Sequence, residues 1–310
     1  MLLLMIRRLA SMLLIMAVVS FVLFLIFEGN KLAVAGKVLG PYSSQEQREL
    51  WLEQSGYNRP FVVRYVEWVG NAARGDFGDS IRFKAPVSEL LWDRLGNTGI
   101  LALCVFAIMI PLSLTLGVLS GMREGSGLDR SISFLSILTT SVPEFASATF
   151  LVALFVFQLN WLPGTSAMTG GFNPVELVLP VLVLVLYGFG YVARMTRASM
   201  AEVMTSQYIR TAILKGLPQK TVIMRHALRN ALIAPFTVIV LQLNWLLSGV
   251  IVVEVFFAYR GFGKLLYDAS MFGDIYLIEA CTLVAVFVAV FSQFISDVGY
   301  TLLNPRIRFS

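Results

Sequence analysis

The stretch NTGILALCVFAIMIPLSLTLGVLSGM, Asn97 to Met122, is 26 residues long and holds no charged side chain. A helix needs roughly 20 mostly apolar residues to cross a bilayer, so this stretch reads as a membrane span. Five others read alike. Leu9–Phe27, Leu177–Ala193, Asn230–Val253 and Ala280–Ser296 carry no charge, and Ser131–Asn160 carries only Glu144. Hydrophobic residues make up 57% of the 310-residue chain and charged residues 14%, against about 45–50% and about 25% in soluble domains. A soluble core has no room for that much apolar side chain, whereas lipid does. The expected fold is all-α and integral to the membrane, with six transmembrane helices.

The basic residues give the orientation. With six spans both termini share one side, and short segments on that side hold 13 Lys and Arg, from Arg7 and Arg8 through Arg194–Arg229 to Arg306 and Arg308. Short loops on the other side hold Arg260 and Lys264 alone. The positive-inside rule then predicts cytoplasmic termini in a multi-pass protein of the cell (inner, cytoplasmic) membrane. The net charge of +5 is thus spent on topology, and no nucleic-acid partner is expected. The predicted organisation is an N-terminus with the first span (1–30), an external loop (31–96), a five-helix core (97–303) containing a cytoplasmic loop (194–229), and a tail (304–310).

The external loop holds nine basic and nine acidic residues between Glu28 and Gly96. Ser44 followed by Gln47 has the form of a capping box, which predicts a helix from about Ser44 to Gln54 that stops at Gly56. Pro60 opens a second helix through Phe61, Tyr65 and Trp68, suited to the membrane interface or to a small self-packed cap. Arg7-Arg8, the first apolar run and Ala33-Val34-Ala35 also fit a cleaved signal peptide, but the run is long for one and the small-residue site lies well past it.

Catalytic signals are sparse. No phosphate-binding Gly-x-x-x-x-Gly-Lys-Ser/Thr motif occurs, the sole histidine is His226, and the two cysteines, Cys104 and Cys281, lie in apolar runs. Neither a metal site nor a nucleophilic triad is readable, and no cofactor is expected in this chain. Ionisable residues inside spans are costly and mark function by default. Glu144, just after Pro143, is the clearest, while Glu254, Glu279 and Asp297 sit nearer span ends. Gly117 and Gly121 have the Gly-x-x-x-Gly spacing of packed membrane helices. Gly188 and Gly190 suit close approach or local bending. Pro143, Glu144, Gly188 and Gly190 are the candidates for a translocation path.

The segment Arg194–Arg229 is structured rather than a charge run. Tyr208 to Lys215 reads as a helix, Gly216 as its stop, and Pro218 as the start of another helix that runs into the fifth span. Small and apolar residues (Ala212, Ile213, Leu217, Val222, Ile223) alternate with cations. A short helix of this type, held outside the membrane, suits a groove on a partner.

These residues resemble a known family. Arg210-Thr211-Ala212, Lys215-Gly216-Leu217 and Arg225-His226-Ala227-Leu228-Arg229-Asn230 with Pro235 are similar to the coupling loop of ABC importer permeases. More narrowly they resemble the B-type permease of the dipeptide/oligopeptide/nickel group. The likeness extends along nearly the whole chain, through Ile6-Arg7-Arg8-Leu9, Arg74-Gly75-Asp76-Phe77-Gly78, Ser141-Val142-Pro143-Glu144-Phe145, Gly261-Phe262-Gly263-Lys264 and Asn304-Pro305-Arg306-Ile307-Arg308. It implies a type I importer permease fold. It also implies a homologous second permease (C-type), two ATPase subunits that bind ATP and Mg, and an external solute-binding protein. Arg210, Thr211, Ala212, Ile213, Lys215, Gly216 and Leu217 would dock in an ATPase groove. The chain departs from the family where Ala212 stands without the usual Glu-Ala-Ala, and where Tyr259-Arg260 replaces a common Trp-Pro.

The resemblance implies a non-catalytic subunit that forms half of a path opened and closed by partner ATPases, with di- or oligopeptides as the expected solutes. Nickel, oligosaccharides and opine-like compounds are the alternatives within that class. An ATP-independent secondary transporter using Glu144 as an ion site is the alternative outside it.

Overall fold

The computed structural model describes residues 2–303, with side chains for residues 6–243, 245 and 250–295. The predicted tail 304–310, with its Asn304–Arg308 motif, and the side chain of Asp297 lie outside the described residues. Among the described residues the secondary structure is helical, apart from one isolated bridge between Asp79 and Pro86. In chain order the helices are α1 (Leu2–Glu28), α2 (Lys31–Leu39), α3 (Gln45–Gln54), α4 (Phe61–Ala73), α5 (Val87–Met122), α6 (Gly127–Ser141) and α7 (Glu144–Val152). Then follow α8 (Pro174–Met204), α9 (Gln207–Leu214), α10 (Gln219–Thr221), α11 (Leu228–Ala231), α12 (Ile233–Phe256), α13 (Phe262–Phe272) and α14 (Ile275–Leu303). Wide π-helical turns fill Ala153–Gln158 and Val222–Ala227.

Four stretches, Ile6–Glu28, Val87–Met122, Pro174–Met204 and Ile275–Ile295, are long and apolar enough to cross a membrane. Two bent pairs raise the number to six when each counts as one span. The third stretch, Ser131–Asn160, is therefore not the single helix that its composition suggests. It bends by 101° between Ser141 and Glu144. Pro143 supplies no amide hydrogen and forces the residue before it out of helical geometry, and Val142 is extended, with φ −93° and ψ 123°. The fifth bends by 49° just after Ala231, where the ring of Pro235 opposes the carbonyl four residues back. Two other spans outrun their apolar cores. Helix α5 begins at Val87, because its charged first turns bury Val87 and Leu91 on one face. Helix α8 continues past Ala193 to Met204.

The described chain divides into two compact units, residues 2–98 with 260–291, and residues 99–259 with 292–303. In the first unit, α4 packs its aromatic face on α1. Phe21 and Phe24 meet Phe61 and Tyr65 edge to face at 5.3–5.8 Å, and Ser20 and Tyr65 share a 2.8 Å hydroxyl bond. Ser44 and Gln47 form the capping box of α3. Helix α2 had no sequence signal, and it contains Ala33-Val34-Ala35, with Val34 and Ala35 buried.

Arg64, almost fully buried, pairs with Glu28, which also pairs with Lys31. The Arg64 guanidinium lies 4.8 Å from the Tyr57 ring centre, and burial pushes the Tyr57 hydroxyl pKa up. Buried Glu279 accepts a hydrogen bond from Trp68, so it is paired within its bundle. Asp274 accepts from Ser80 Oγ at 2.6 Å and the Arg82 amide at 3.1 Å, which fastens the loop before α5 to the start of α14. Cys281 is buried in the cluster of Val87, Leu91, Phe262, Leu265, Leu277 and Ala280.

In the second unit, Leu101, Val105 and Met109 of α5, Ala148 and Leu151 of α7, and Val250 and Val253 of α12 cluster with the buried Leu179, Val183, Leu184 and Val185 of α8. Small residues permit the approach. A Cβ on Gly117 would meet Thr196 Cβ at 2.5 Å and Ala193 O at 2.7 Å, and one on Gly121 would meet Arg197 O at 2.6 Å. Gly99, on the same α5 helix, has nothing within 4 Å. Gly121→Val should therefore lower the unfolding midpoint in detergent markedly, because backbone of α8 stands in the way. Gly99→Ala should leave it unchanged or raise it, by up to about 1 kcal/mol in stability. Equal midpoints for the two variants would contradict the packing described.

Candidate functional site

The end of α8 is held by a charge cluster that the sequence pattern did not single out. Asp129, in the first turn of α6, is 3% exposed. Its carboxylate takes two hydrogen bonds from Arg197 of α8, Nε and Nη2 both at 2.9 Å. The Ser120 hydroxyl of α5 and the Gly125 amide donate to the same group. A planar guanidinium matched to a carboxylate at two points fixes orientation as well as charge. Arg197 counted in the sequence only as a topology marker, and its local signal, an Arg three residues after Arg194, does not name its partner.

Beyond Met204 the chain turns through Thr205 and Ser206 into α9. Here the predicted break at Gly216 takes definite form. Gly216 has φ +73°, its amide donates to Ile213 O at 2.9 Å, and the Leu217 amide donates to Ala212 O at 3.4 Å. This pair of bonds is the Schellman ending of a helix, which glycine adopts without steric cost. Pro218 then starts α10.

The predicted docking residues divide by face. Arg210, Thr211, Ile213, Lys215, Gly216 and Leu217 are exposed, together with Leu214, which is 79% exposed. Ala212 is buried, with Ile209, Met200, Val222, Ala227 and Ala231. It therefore cements α9 to the helices beneath and is not part of the outward face. The helical period explains this, since Ile209 and Ala212 lie three residues apart on one side. Tyr208 Oη accepts from Asn230 Nδ2 at 3.0 Å and ties α9 to α11.

The four path candidates do not behave alike. Gly188 and Gly190 are buried, and an added Cβ would collide with Met109 of α5 and with Ser136 O and Thr140 of α6, respectively. Pro143 is exposed and Glu144 half-buried at the bend between α6 and α7. Tyr187 of α8 stacks on Trp245 with ring centres 4.4 Å apart, and its ring centre lies 5.8 Å from that of Tyr191. Those aromatic residues escaped the sequence reading because Tyr and Trp in apolar spans are ordinary packing residues. Glu254 is fully buried near Tyr259, and burial raises the Tyr259 pKa.

Two apolar helix pairs are thus bent, one at Pro143 and one after Ala231, and Glu144 stands at the first bend. Comparison with known sequences is specific. Residues 113–309 match the family described as binding-protein-dependent transport system inner membrane component. The oligopeptide transport system permease protein AppB of Bacillus subtilis is 34% identical over 299 residues, covering 94% of each chain. The dipeptide transport system permease protein DppB of Alkalihalophilus pseudofirmus is 30% identical, covering 95% of each. This chain belongs to the family of binding-protein-dependent inner membrane transport components, the permease subunits of ABC importers. The resemblance read from the coupling segment is thereby borne out, and the chain is a multi-pass inner membrane protein.

The Asp129 cluster makes a sharp prediction. Asp129→Ala would strand Arg197 without its main partner and should cost about 3 kcal/mol, read as a large fall in the unfolding midpoint of the purified protein. Arg197→Lys, which loses the two-point geometry but keeps the charge, should fall between the wild type and that variant.

Proposed function

We propose that this chain forms half of the membrane path of a peptide importer, pairs with a homologous permease, and receives mechanical work from a cytoplasmic ATPase through α9. The observation that carries the reading is the exposed apolar edge of Ile213, Leu214 and Leu217 beside Arg210 and Lys215. An apolar edge of this kind, flanked by cations on a helix clamped from below, suits a hydrophobic groove with an acidic rim. The printed names of the relatives, oligopeptide and dipeptide permeases, support peptides as the solute.

In this mechanism ATP and Mg are bound by two partner ATPases, and both are absent from the chemistry of this chain. ATP-driven closure of the ATPases moves the α9 helices of the two permeases together. Ile209 and Ala212 transmit that displacement to α8 through their shared cluster with Met200. The Asp129–Arg197 contact passes it on to α5 and α6. The path then opens alternately to either side, and an external binding protein delivers the solute. The charge bias supports a cytoplasmic position for α9 and both termini.

The test is an interface variant. Ile213→Asp with Leu214→Asp should reduce ATPase co-purification and binding-protein-stimulated ATP hydrolysis at least about tenfold. The isolated permease should keep its unfolding midpoint, because both side chains are exposed. Normal assembly and normal stimulated hydrolysis would sink the docking role.

A further inference from the structure

We propose that the basic pocket formed by Arg94, Arg260 and Lys264 seats an acidic side chain of the external binding protein when that protein docks on the importer. The inference rests on the importer reading and names the place and chemistry of one contact that the reading leaves open.

The pocket has a volume of about 250 Å³ and lies within the first unit. Arg94 stands on α5, Arg260 precedes α13, and Lys264 and Asp268 stand on α13, with Phe83 and Leu265 beside them. Its frame is fixed by hydrogen bonds between α5 and the start of α13. The Arg260 carbonyl accepts from Asn97 Nδ2 at 2.9 Å and from Arg94 Nη1 at 3.3 Å, and the Phe262 amide donates to Thr98 Oγ1 at 2.8 Å. A ligand that enters a frame held in this way has little ordering to impose.

The lining is unbalanced in charge, with three cations against one carboxylate. That carboxylate, Asp268, is engaged by Lys264, whose Nζ lies 3.2 Å from both of its oxygens. Arg94 Nε is buried and makes no hydrogen bond. The Asp93 carboxylate stands 3.5 Å from it without closing one, and the Asp93 side chain is 65% exposed. Arg260 is exposed, and its guanidinium makes no hydrogen bond or ion pair among the described residues. A buried donor on a charged group is costly to leave without an acceptor. An entering carboxylate would supply the acceptor together with the matching charge.

The position of the pocket points to an external partner. Arg260 and Lys264 are the only Lys and Arg in the short loops on the side that the charge bias assigns to the exterior. Cations there run against the positive-inside tendency, yet both line this one pocket. Its size favours a side chain over a whole solute, since small-molecule sites run from about 300 Å³ upward. A lipid headgroup would need a groove for its tails. The apolar groove of the same unit, about 410 Å³ between α1, α4 and α14, shares no lining residue with the pocket. Arg260 and Phe83, both exposed, are of residue types enriched at protein interfaces.

The experiment uses the complete importer in nanodiscs with its binding protein and reads ATP hydrolysis against binding-protein concentration. For the wild type, half-saturation should shift to higher concentration as NaCl rises from about 0.05 M to about 0.3 M, because salt screens exposed charges. Arg260→Glu should raise half-saturation about tenfold and flatten that salt dependence. Arg260→Lys should keep most of the wild-type affinity. Among single Asp→Lys and Glu→Lys changes on the docking face of the binding protein, at least one should restore half-saturation to the Arg260→Glu importer. Discs of phosphatidylcholine, with and without phosphatidylglycerol, separate a protein carboxylate from a lipid phosphate. Wild-type half-saturation in Arg260→Glu, failure of every charge exchange to restore it, or an effect confined to discs with phosphatidylglycerol overturns the proposal. A wild type whose hydrolysis its binding protein does not stimulate defeats the importer reading, and the docking contact with it.

Discussion

Close approach of α8 to its neighbours is the constraint on which the second unit depends. Inside a bilayer, lipid tails are as apolar as leucine, so the hydrophobic effect does not hold helices together. Dispersion and a few polar contacts must do so, and both need short distances. Gly117 and Gly121 let α5 reach the Ala193–Ala201 stretch of α8, and Gly188 and Gly190 let α8 reach Met109 and Ser136. The buried Val183, Leu184 and Val185 then fill the space between them. Where the helices leave the apolar zone, the mode of contact changes from dispersion to the charge and hydrogen bonds of Asp129, Arg197 and Ser120.

The same succession accounts for the form of the projecting helix. A helix of eight residues such as α9 is too short to be stable alone in water. It persists because Ile209 and Ala212 are buried, because Gly216 closes its end, and because Tyr208 bonds Asn230. Its outward face is then free to remain apolar. The rigidity that keeps α9 folded is the rigidity that the proposed coupling requires, since a helix hinged loosely on Thr205 and Ser206 would absorb a partner's motion without moving α8.

Much of this was legible in the sequence, and the parts that were not share a cause. Hydropathy marked the four long helices and both bent pairs, and Gly216 and the Ser44–Gln47 pair announced their backbone roles, because these signals are local. Ala212 was placed on the docking face because residue type does not reveal which side of a short helix is covered. That depends on Met200 and Val222, distant in the chain. Helix α2 was missed because nine residues with two lysines and no capping side chain carry little periodic information. Asp129 and the cluster of Tyr187, Tyr191 and Trp245 were missed for the same reason. Their meaning lies in partners tens of residues away. Pro143 was noted as distorting, yet its composition-only reading kept one span where the backbone turns by 101°.

That turn connects the bend with the carboxylate beside it. The first helical amides of α7 that bond backward are Ala146 and Ser147, both to Pro143 O. The amides of Glu144 and Phe145 precede them and fall among the donors that a helix start leaves open. Open amides and an unpaired carboxylate cannot be satisfied by hydrocarbon, and non-helical backbone at membrane depth is tolerated only against protein or water. The break between α6 and α7 is therefore a poor surface to turn toward lipid. A water-filled path, or a partner subunit that completes one, meets the needs of the backbone and of Glu144 together. The same two requirements would be hard to meet by a span that served only as packing.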